Sequence, residues 1–493
     1  MNSLPHLLRE RALQSPDTPF LFFKDQVWTL RQIDAASDIC AERLRCAGVC
    51  KGDRAALLLS NGPEFIVHYF GTLKAGAIVV PINTLLKVPE VRYILENSGA
   101  KHLTLGPEHH SMAGSFEGVE KVESIELFSG PPQSHKYPAP LPVLSRTDLA
   151  AIIYTSGTTG FPKGATLSHG NYLWDIEVLV RSIKITAEDR FLCFLPLFHV
   201  NGQVVTMLAP LFAQGSMVLM EKFSPKEFLG LLSKFKCTAF SGVPSVYSVL
   251  LNTPVESDLS SLRFCICGAA PMPVNVFEAF EEKFNAHILE GYGLSEGSCV
   301  SSVNPPPPGK RKVGSIGLPI NGQKMAIFDS ENKELPAGEV GEIVVRGPNV
   351  MQGYWNNPEE TREAIDNNGF LHTGDLGSRD EDGYFFIKGR KKEMIIRGGE
   401  NIYPKEIEEI LYKHAAIAEA AIVGLPHKRW GEEVAAFLVL KENEVLTAKE
   451  LAVYLKEFIA DYKLPRRVVF LDSLPKTATG KIQKHKLRES VAS

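Results

Sequence analysis

The sequence feature that most constrains this chain is an eleven-residue stretch from Tyr154 to Gly164 that is rich in hydroxyl groups and glycine. The residues that lead into it, from Leu149, are apolar and partly β-branched, so they predict a buried strand. Ser168 predicts the cap of a helix that follows. A strand, a Gly/Ser/Thr loop and a helix can hold phosphate, because glycine lets the backbone approach, N–H and hydroxyl groups donate, and Lys163 supplies charge.

This stretch differs from the P-loop of nucleoside triphosphatases, in which a Gly-Lys pair is followed by Ser or Thr. Here Lys163 is preceded by Pro162 and followed by Gly164. The alternative interpretation is an ordinary surface turn, which is the usual meaning of a short cluster of small polar residues. Motifs further along the chain decide between the two interpretations.

Length and composition narrow the class of protein. A chain of 493 residues is too long for one ordinary core, so we expect at least two domains. The 44% hydrophobic and 22% charged residues are typical of a globular protein. A net charge of -4 argues against a dedicated nucleic-acid binder, so no nucleic-acid partner is expected.

The cysteines and apolar segments predict a cytoplasmic protein without a transmembrane segment. Cys265 and Cys267 have no second pair at zinc-like spacing, which indicates buried free thiols and fits a reducing compartment. Charged residues around Arg9 argue against a signal peptide. The uncharged segment 191–220 is interrupted by Pro and Gly, so we interpret it as buried strand, loop and short helix rather than a membrane span.

Alternating helix and strand patterns predict a largely parallel α/β fold in the N-terminal part of the chain and a different, α+β fold in the C-terminal part. Strand, helix and strand patterns over residues 54–60, 64–75 and 77–81 favour βαβ units and a largely parallel sheet. The C-terminal part predicts a small α+β domain. Its expected elements are a helix opening at Pro404, strands near 418–423 and 434–440, a helix capped by Thr447 and Glu450, and a last strand at 468–471.

Four further segments carry side chains suited to a nucleotide and an acid, and each has an ordinary alternative. His199 follows a strand-like run and is, by itself, more often a packed core histidine. Small residues from Gly268, after a predicted strand over 262–267, leave room for a flat ring or only form a tight turn. In Thr373-Gly374-Asp375, the carboxylate suits two ribose hydroxyls or an Asx turn. Lys481, after Gly480, is normally a solvated charge.

The fifth segment is Tyr292-Gly293-Leu294-Ser295-Glu296. Its tyrosine is suited to stacking on a base, its serine to donating to phosphate, and its glutamate to holding Mg²⁺ as a hard oxygen ligand. As an isolated string this is a weak signal.

Together, and in this order, the motifs resemble those of the adenylate-forming superfamily, which includes acyl-CoA synthetases, firefly-type luciferases and peptide-synthetase adenylation domains. The resemblance covers nearly the whole chain. It implies an α/β fold with a large N-terminal domain of mixed, largely parallel sheets and helices, plus a small mobile α+β C-terminal domain. The implied boundaries are 1–390 for the ATP- and acyl-binding domain and 391–493 for the mobile domain, with a hinge near Lys392. Ser295 departs from the family's Thr but keeps the hydroxyl.

The resemblance also implies residue roles. Lys481 is the catalytic lysine between the carboxylate and the α-phosphate, His199 orders the acyl site, and Glu296 holds Mg²⁺. Gly398 and Gly399 border the coenzyme A tunnel, and His199, Val200 and Gly291 line the acyl pocket. The implied ATP and AMP contacts are Thr155, Ser156, Gly157, Thr158, Thr159, Lys163, Gly268, Ala269, Ala270, Tyr292, Gly293, Ser295, Asp375 and Arg390.

The implied reaction is ATP-dependent ligation of a carboxylic acid to coenzyme A through an acyl-adenylate, with Mg²⁺ as cofactor. Related malonate-type synthetases carry an Arg where this chain has Gly291, which cannot pair with a second carboxylate. With the apolar residues Phe198, Val200, Val204 and Val205, this favours a monocarboxylate with an apolar tail. A medium- or long-chain fatty acid is the first expectation, and an aryl or branched acid is the second.

Three other classes share the motifs. A carrier-protein-loading enzyme would have to act in trans, since no carrier domain follows Lys481 in this sequence. A luciferase-like oxygenase is compatible with the motifs but not required by any residue. A catalytically inactive relative is expected to have lost Lys481, Glu296 or Asp375, all of which are present. The sequence leaves a homodimer open.

Overall fold

A computed structural model describes residues 1–131, 139–155, 162–268, 272–477 and 482–492. It has the α/β fold expected from the sequence, with a large N-terminal domain of parallel and mixed sheets and a small C-terminal domain. Among the described residues, no helix combines the length and apolar character needed to cross a membrane.

The α-helices differ in how deeply they are buried. Every residue of Pro63–Lys74 is buried, because this helix packs in the N-terminal core, whereas Pro358–Ala364 has no buried residue. The α-helices are Leu4–Gln14, Leu30–Cys46, Pro63–Lys74, Val88–Ser98, His169–Ser182, Ala209–Ala213, Pro225–Lys234, Pro244–Leu251, Val274–Phe284, Pro358–Ala364, Pro404–Leu411, Ala448–Lys456 and Lys484–Ala492. Tighter 3₁₀ turns occupy Pro107–Ser115, Ser295–Gly297 and Asp461–Lys463, and a π-helix occupies Gly202–Leu208.

The largest sheet is parallel in its centre and antiparallel at both edges. In spatial order its strands are Leu318–Pro319, Ser302–Val303, His287–Tyr292, Phe264–Cys267, Ala239–Gly242, Arg190–Cys193, Ser216–Leu219, Pro19–Phe23 and Gln26–Thr29. The central strands carry almost only buried residues, as expected for a parallel sheet covered on both faces.

A second sheet is parallel except at one end. In spatial order its strands are Gly353–Tyr354, Lys163–Ser168, Leu149–Thr155, Ile78–Pro81, Arg54–Leu58, His102–Leu105 and Lys121–Ser124. One continuous core of aromatic and aliphatic side chains joins it to the largest sheet and includes the fully buried Trp28, Tyr69 and Tyr172.

The third and fourth sheets lie in the second half of the chain. The antiparallel third sheet contains Lys324–Phe328, Gly341–Arg346, Leu371–Arg379 and Phe385–Arg390. The sheet of the C-terminal domain contains Glu400–Ile402, Ile395–Arg397, Gly431–Leu440 and Ile417–His427, with Arg467–Phe470 parallel to Gly431–Leu440. This domain has a core of its own, formed by residues such as Ile407, Leu438 and Leu451.

Most predicted elements are confirmed with small changes in their ends. The predicted βαβ unit is the strand Arg54–Leu58, the helix Pro63–Lys74 and the strand Ile78–Pro81, with the two strands parallel. Thr447 caps the helix Ala448–Lys456 through a capping box with Glu450. Cys265 and Cys267 are buried free thiols.

The prediction of a strand, a loop and then directly a helix around residues 154–168 was wrong in one respect. A second strand, Lys163–Ser168, pairs antiparallel with Leu149–Thr155 before the helix His169–Ser182 begins. The hydroxyl-rich segment therefore joins the two strands of a hairpin. Ser168 does cap the helix, in a capping box with Asn171.

Candidate active site

The candidate site forms where the ends of several strands from different sheets meet. Thr155 ends one strand of the second sheet and Tyr292 ends one strand of the largest sheet. Side-chain hydrogen bonds connect this region to Asp375 of the third sheet and to Tyr354. Parallel strands place their carboxyl ends on the same edge, which is where α/β proteins bind ligands.

Glu296 is held by two hydroxyl groups. Its Oε1 accepts hydrogen bonds from Thr155 Oγ1 at 3.2 Å and from Tyr354 OH at 3.0 Å. Glu296 lies in the 3₁₀ turn Ser295–Gly297, where the carbonyl of Ser295 accepts from Ser298 N at 3.1 Å. Mg²⁺ sites in nucleotide-binding proteins use one or two carboxylates together with phosphate oxygens and water, so the single carboxylate of Glu296 fits this ion.

Lys163 lies opposite Thr155 in the hairpin register. Its ammonium forms an ion pair with Glu360 and lies 5.6 Å from the centre of the Tyr354 ring. These contacts therefore hold the Lys163 ammonium close to the C-terminal end of the hydroxyl-rich segment. Its partner Glu360 lies in the first turn of the helix Pro358–Ala364, which Asn357 caps.

A second polar cluster contains the residues expected to bind ribose. Tyr292 OH donates to Asp375 Oδ2 at 2.7 Å, and Arg390 Nε lies 2.9 Å from Asp375 Oδ1. Asp375 and Arg390 are direct partners across two antiparallel strands. Burial, followed by the negative charge of Asp375, raises the pKa of the Tyr292 phenol well above its ordinary value, so the group stays a hydrogen-bond donor.

Three glycines allow the strand ends and the following loop to approach one another. A Cβ on Gly293 would lie 1.6 Å from the carbonyl oxygen of Cys299, so only glycine fits there. A Cβ on Gly268 would lie 3.3 Å from the carbonyl oxygen of Gly291. On Gly291 itself, a Cβ would lie 3.3 Å from the Ser302 carbonyl oxygen. Gly268 and Gly291 are thus neighbours.

His199 is half-buried at the end of the turn that leads into the π-helix Gly202–Leu208. Its ring centre lies 4.5 Å from that of Phe198, and its carbonyl oxygen accepts from Gln203 N at 3.1 Å. Desolvation lowers the pKa of His199 to about 4, so the imidazole is neutral at neutral pH. Val200 is buried beside it.

Two buried amides, which the sequence interpretation missed, hold this turn. Asn61 Nδ2 donates to Leu195 O at 3.1 Å, and Leu197 N donates to Asn61 Oδ1 at 2.9 Å. Gln203 Nε2 donates to Leu197 O at 2.9 Å, while Gln203 Oε1 accepts from Tyr172 OH at 3.0 Å. Neither amide belongs to a recognisable motif, and Asn61 is 134 residues from its partner Leu195.

Tyr354 and Glu360 were also missed. Tyr354 contacts Glu296 and approaches Lys163, and Glu360 pairs with Lys163 across 197 residues of sequence. The local sequence indicates only a helix start at Asn357-Pro358. The spacing of residues along the sequence does not reveal that Glu360, in this helix, pairs with Lys163.

Three further residues with expected roles lie in or shortly after the linker, the segment between the strands Phe385–Arg390 and Ile395–Arg397. Lys392 is exposed, and partial desolvation together with the nearby positive charge of Lys163 lowers its pKa. Gly398 and Gly399 have φ of +62° and +93° in the turn between the strands Ile395–Arg397 and Glu400–Ile402, a conformation that favours glycine. Gly398 N donates to Trp430 O at 2.8 Å.

Several expected site residues lie outside the described residues. They are Ser156, Gly157, Thr158, Thr159, Ala269, Ala270 and Lys481.

Comparisons with known proteins agree with this arrangement. Residues 8–355 match the family described as AMP-binding enzyme, and residues 406–481 match the AMP-binding enzyme C-terminal domain. The chain is 36% identical to a sulfoacetate–CoA ligase of Cupriavidus necator, over 99% of this chain and 97% of that protein. It is 37% identical to a long-chain-fatty-acid–CoA ligase of Bacillus subtilis, over 99% and 94%.

The fold is also similar to that of a solved enzyme. The ATP-bound structure of MatB from Rhodopseudomonas palustris matches with a TM-score of 0.92 and 32% identity, over 99% of both chains. The site geometry, the two family matches and these similarities agree over nearly the whole chain. The chain therefore belongs to the AMP-binding enzyme family, the adenylate-forming superfamily of AMP-forming acyl-CoA synthetases.

Proposed function

We propose that this acid–CoA ligase activates a monocarboxylic acid with an apolar tail, most favourably a medium- or long-chain fatty acid. The observation that carries the proposal is Gly291, which lies on the site-forming strand His287–Tyr292 and offers no charge to a second carboxylate. The neighbouring turn contributes buried apolar side chains, Phe198 and Val200. The similarity to a fatty-acid ligase supports this choice, whereas another relative, the sulfoacetate ligase, is named for an acid with a charged tail.

In the first half-reaction, a carboxylate oxygen attacks the α-phosphorus of ATP, and the bond to pyrophosphate breaks. The product is an acyl-adenylate. Both reactants are anionic, so the protein's contribution is positioning and charge neutralisation. In the proposal, Thr155 and Lys163 with the hydroxyl-rich segment hold the β- and γ-phosphates, Asp375 and Arg390 hold the ribose, and Lys481 lies between the reacting anions.

Mg²⁺ is proposed to bind at Glu296, where it would neutralise phosphate charge. The contacts of Glu296 Oε1 with Thr155 and Tyr354 orient its carboxylate. Both donors are neutral hydroxyls, so neither one is a cation paired with the carboxylate.

In the second half-reaction, the thiol of coenzyme A attacks the acyl carbonyl carbon and AMP leaves. We place the domain boundary between residues 390 and 391 and the hinge at Lys392. Rotation of the C-terminal domain would withdraw Lys481 and bring the turn at Gly398 and Gly399 to the site, where the lack of side chains admits the thiol arm.

One observation favours an aryl or hydroxylated acid as a second candidate. Asn201 lies two residues after His199, and its side-chain Oδ1 is buried without a hydrogen-bond partner among the described residues. An unpaired buried amide oxygen is costly unless a ligand supplies a donor. A hydroxyl or amino substituent on the acid would supply one.

The test is coenzyme A thioester formation with ATP and Mg²⁺ across acetate, octanoate, palmitate, malonate, benzoate and 4-hydroxybenzoate, with Lys481→Ala as the inactive control. We expect turnover to peak on octanoate or palmitate. A peak on 4-hydroxybenzoate over benzoate, lost in Asn201→Leu, would favour the second candidate. A peak on malonate would contradict the inference from Gly291. Pyrophosphate release without a thioester would indicate a carrier protein as the acceptor.

A further inference from the structure

Lys405 is a buried lysine at the junction of the two domains. It lies in the first turn of the helix Pro404–Leu411 of the C-terminal domain, and its side chain is 12% exposed. Its ammonium donates a hydrogen bond of 2.8 Å to the carbonyl oxygen of Ile387, which belongs to the third sheet of the N-terminal domain. The contact therefore crosses from one domain to the other.

Within its own domain, Lys405 is poorly stabilised. A positive charge in the first turn of a helix is opposed by the helix dipole. The carboxylate partner on the same helix, Glu409, lies 3.4 Å from Nζ and is itself 59% exposed. Burial lowers the pKa of Lys405, which is the expected consequence of removing an ammonium from water. The hydrogen bond to Ile387 is thus a main compensation for burying the charge.

The other side of the junction is built from the strands that form the site. Ile387 lies three residues before Arg390, the partner of Asp375. Glu290 precedes Gly291 on the strand His287–Tyr292, is 8% exposed, and accepts from Gly314 N at 2.9 Å. Lys405 and Glu290 affect each other's pKa, so the ammonium and this carboxylate are electrostatic neighbours. The lysine thus contacts the strand that carries Arg390 and is an electrostatic neighbour of the strand that carries Gly291.

We propose that Lys405 is a positioning residue that holds the C-terminal domain in this arrangement and so sets the balance between the two half-reactions. The inference rests on the proposed two-step function. In any arrangement in which the helix Pro404–Leu411 leaves the strand Phe385–Arg390, Lys405 loses Ile387 and becomes solvated. Its contact therefore stabilises one domain arrangement relative to the other.

The test compares Lys405→Met, which keeps the length and apolar stem, with Lys413→Met, an exposed lysine just beyond the same helix. Two rates are measured on the full-length enzyme: pyrophosphate release with octanoate and ATP, and thioester formation from preformed octanoyl-adenylate and coenzyme A. If another acid of the panel is preferred, that acid and its adenylate replace octanoate. We expect the ratio of the two rates to change about tenfold in Lys405→Met, comparable to losing a hydrogen bond from a charged donor.

Lys413→Met should leave the ratio unchanged. Glu290→Gln, which removes the neighbouring charge but keeps the shape, should shift the ratio in the same direction by a smaller factor. If both rates change by the same factor in Lys405→Met, or neither changes, the proposal is wrong, since a purely structural role lowers both together.

A second measurement does not need an acid substrate. Trypsin cleavage at the exposed Lys391 and Lys392, between the strands Phe385–Arg390 and Ile395–Arg397, should be faster in Lys405→Met than in wild type, because the docked arrangement is less populated. If the wild-type enzyme turns over no acid, the proposed function is wrong. The cleavage rate alone then tests whether Lys405 holds the C-terminal domain in the docked arrangement. Unchanged cleavage would then overturn the proposal.

Discussion

At the scale of single residues, burial decides the protonation state of His169. His169 is 1% exposed, and its Nδ1 lies 3.4 Å from Leu4 N at the start of the first helix. Desolvation lowers its pKa from 6.5 to about 4. Between these values the unfolded chain binds a proton that the folded chain does not, so the free energy of unfolding falls as the pH drops from about 6.5 to 4.

We expect His169→Gln to remove part of this acid sensitivity. The pKa difference corresponds to at most about 3 kcal/mol of stability lost on acidification. Urea unfolding of wild type and variant at pH 7 and pH 4.5 measures it, with the exposed His485→Gln as the control. A variant as acid-sensitive as the wild type would show that other groups dominate.

At the scale of elements, the loop after the strand His287–Tyr292 depends on one position without a side chain. A Cβ on Gly293 would lie 1.6 Å from Cys299 O and 2.6 Å from its carbonyl carbon, so Gly293→Ala must move the backbone that carries Tyr292 and Glu296. We expect a loss of activity of about 100-fold or more, the scale of misplacing groups at a reacting centre.

The measurement is thioester formation beside a thermal melt. Gly230→Ala is the matched control, because this helical glycine has nothing within 4 Å of an added Cβ, and alanine should raise stability by about 0.5–1 kcal/mol. Full activity in Gly293→Ala would mean that the loop accommodates the methyl group.

A second element-scale feature is a buried network of four charges that joins the first three helices. Lys74 Nζ lies 2.5 Å from Asp34 Oδ1 and 2.7 Å from Asp38 Oδ1, and Arg9 pairs with both aspartates. Lys74 and Asp34 are 1% and 0% exposed, so removing Lys74 leaves two buried carboxylates that share the one cation Arg9 within this network. We expect Lys74→Met to cost about 3–5 kcal/mol.

Chemical unfolding of the two variants Lys74→Met and Lys101→Met tests this expectation. Lys101 pairs with Asp53 at 3.1 Å with 38% of its side chain exposed, and such surface pairs contribute at most about 1 kcal/mol. If the two variants lose the same free energy of unfolding, the buried charge network contributes no more to stability than the surface pair.

Site residues could be proposed from the sequence where a ligand requires a particular functional group. Residues whose role depends on which part of the fold they pack against could not be predicted. Tyr292, Glu296 and Asp375 were predicted because their motifs resemble the family's and carry groups suited to a base, a cation and a ribose, and the structure brings Tyr292 and Asp375 into contact. The strand Lys163–Ser168 was missed because the signal of a helix cap at Ser168 dominated the interpretation, and a six-residue strand with glycine as its second residue has weak periodicity. Asn61 and Gln203 were missed because a buried amide that holds a turn needs only a nearby backbone group, and that neighbour is set by the tertiary fold.

At the scale of the whole molecule, the position of the C-terminal segment depends on a lysine just after the proposed catalytic one. Lys484 Nζ lies 3.0 Å from Glu393 Oε2 and 2.8 Å from Glu408 Oε1, and its side chain is 16% exposed. It ties the helix Lys484–Ala492 both to the linker after Arg390 and to the helix Pro404–Leu411. The two carboxylates raise the pKa of Lys484 despite its burial, so the ammonium keeps its charge.

We expect Lys484→Met to slow adenylation by about tenfold, the effect of losing a charge-assisted hydrogen bond that positions the segment with Lys481. Thioester formation from preformed acyl-adenylate should change little, since Lys481 is proposed to act only in the first step. Pyrophosphate release and single-turnover thioester formation measure the two steps, with the exposed Lys486→Met as the control. An equal loss in both steps would mean that Lys484 stabilises the C-terminal domain as a whole, because a general loosening of that domain cannot distinguish between the two half-reactions.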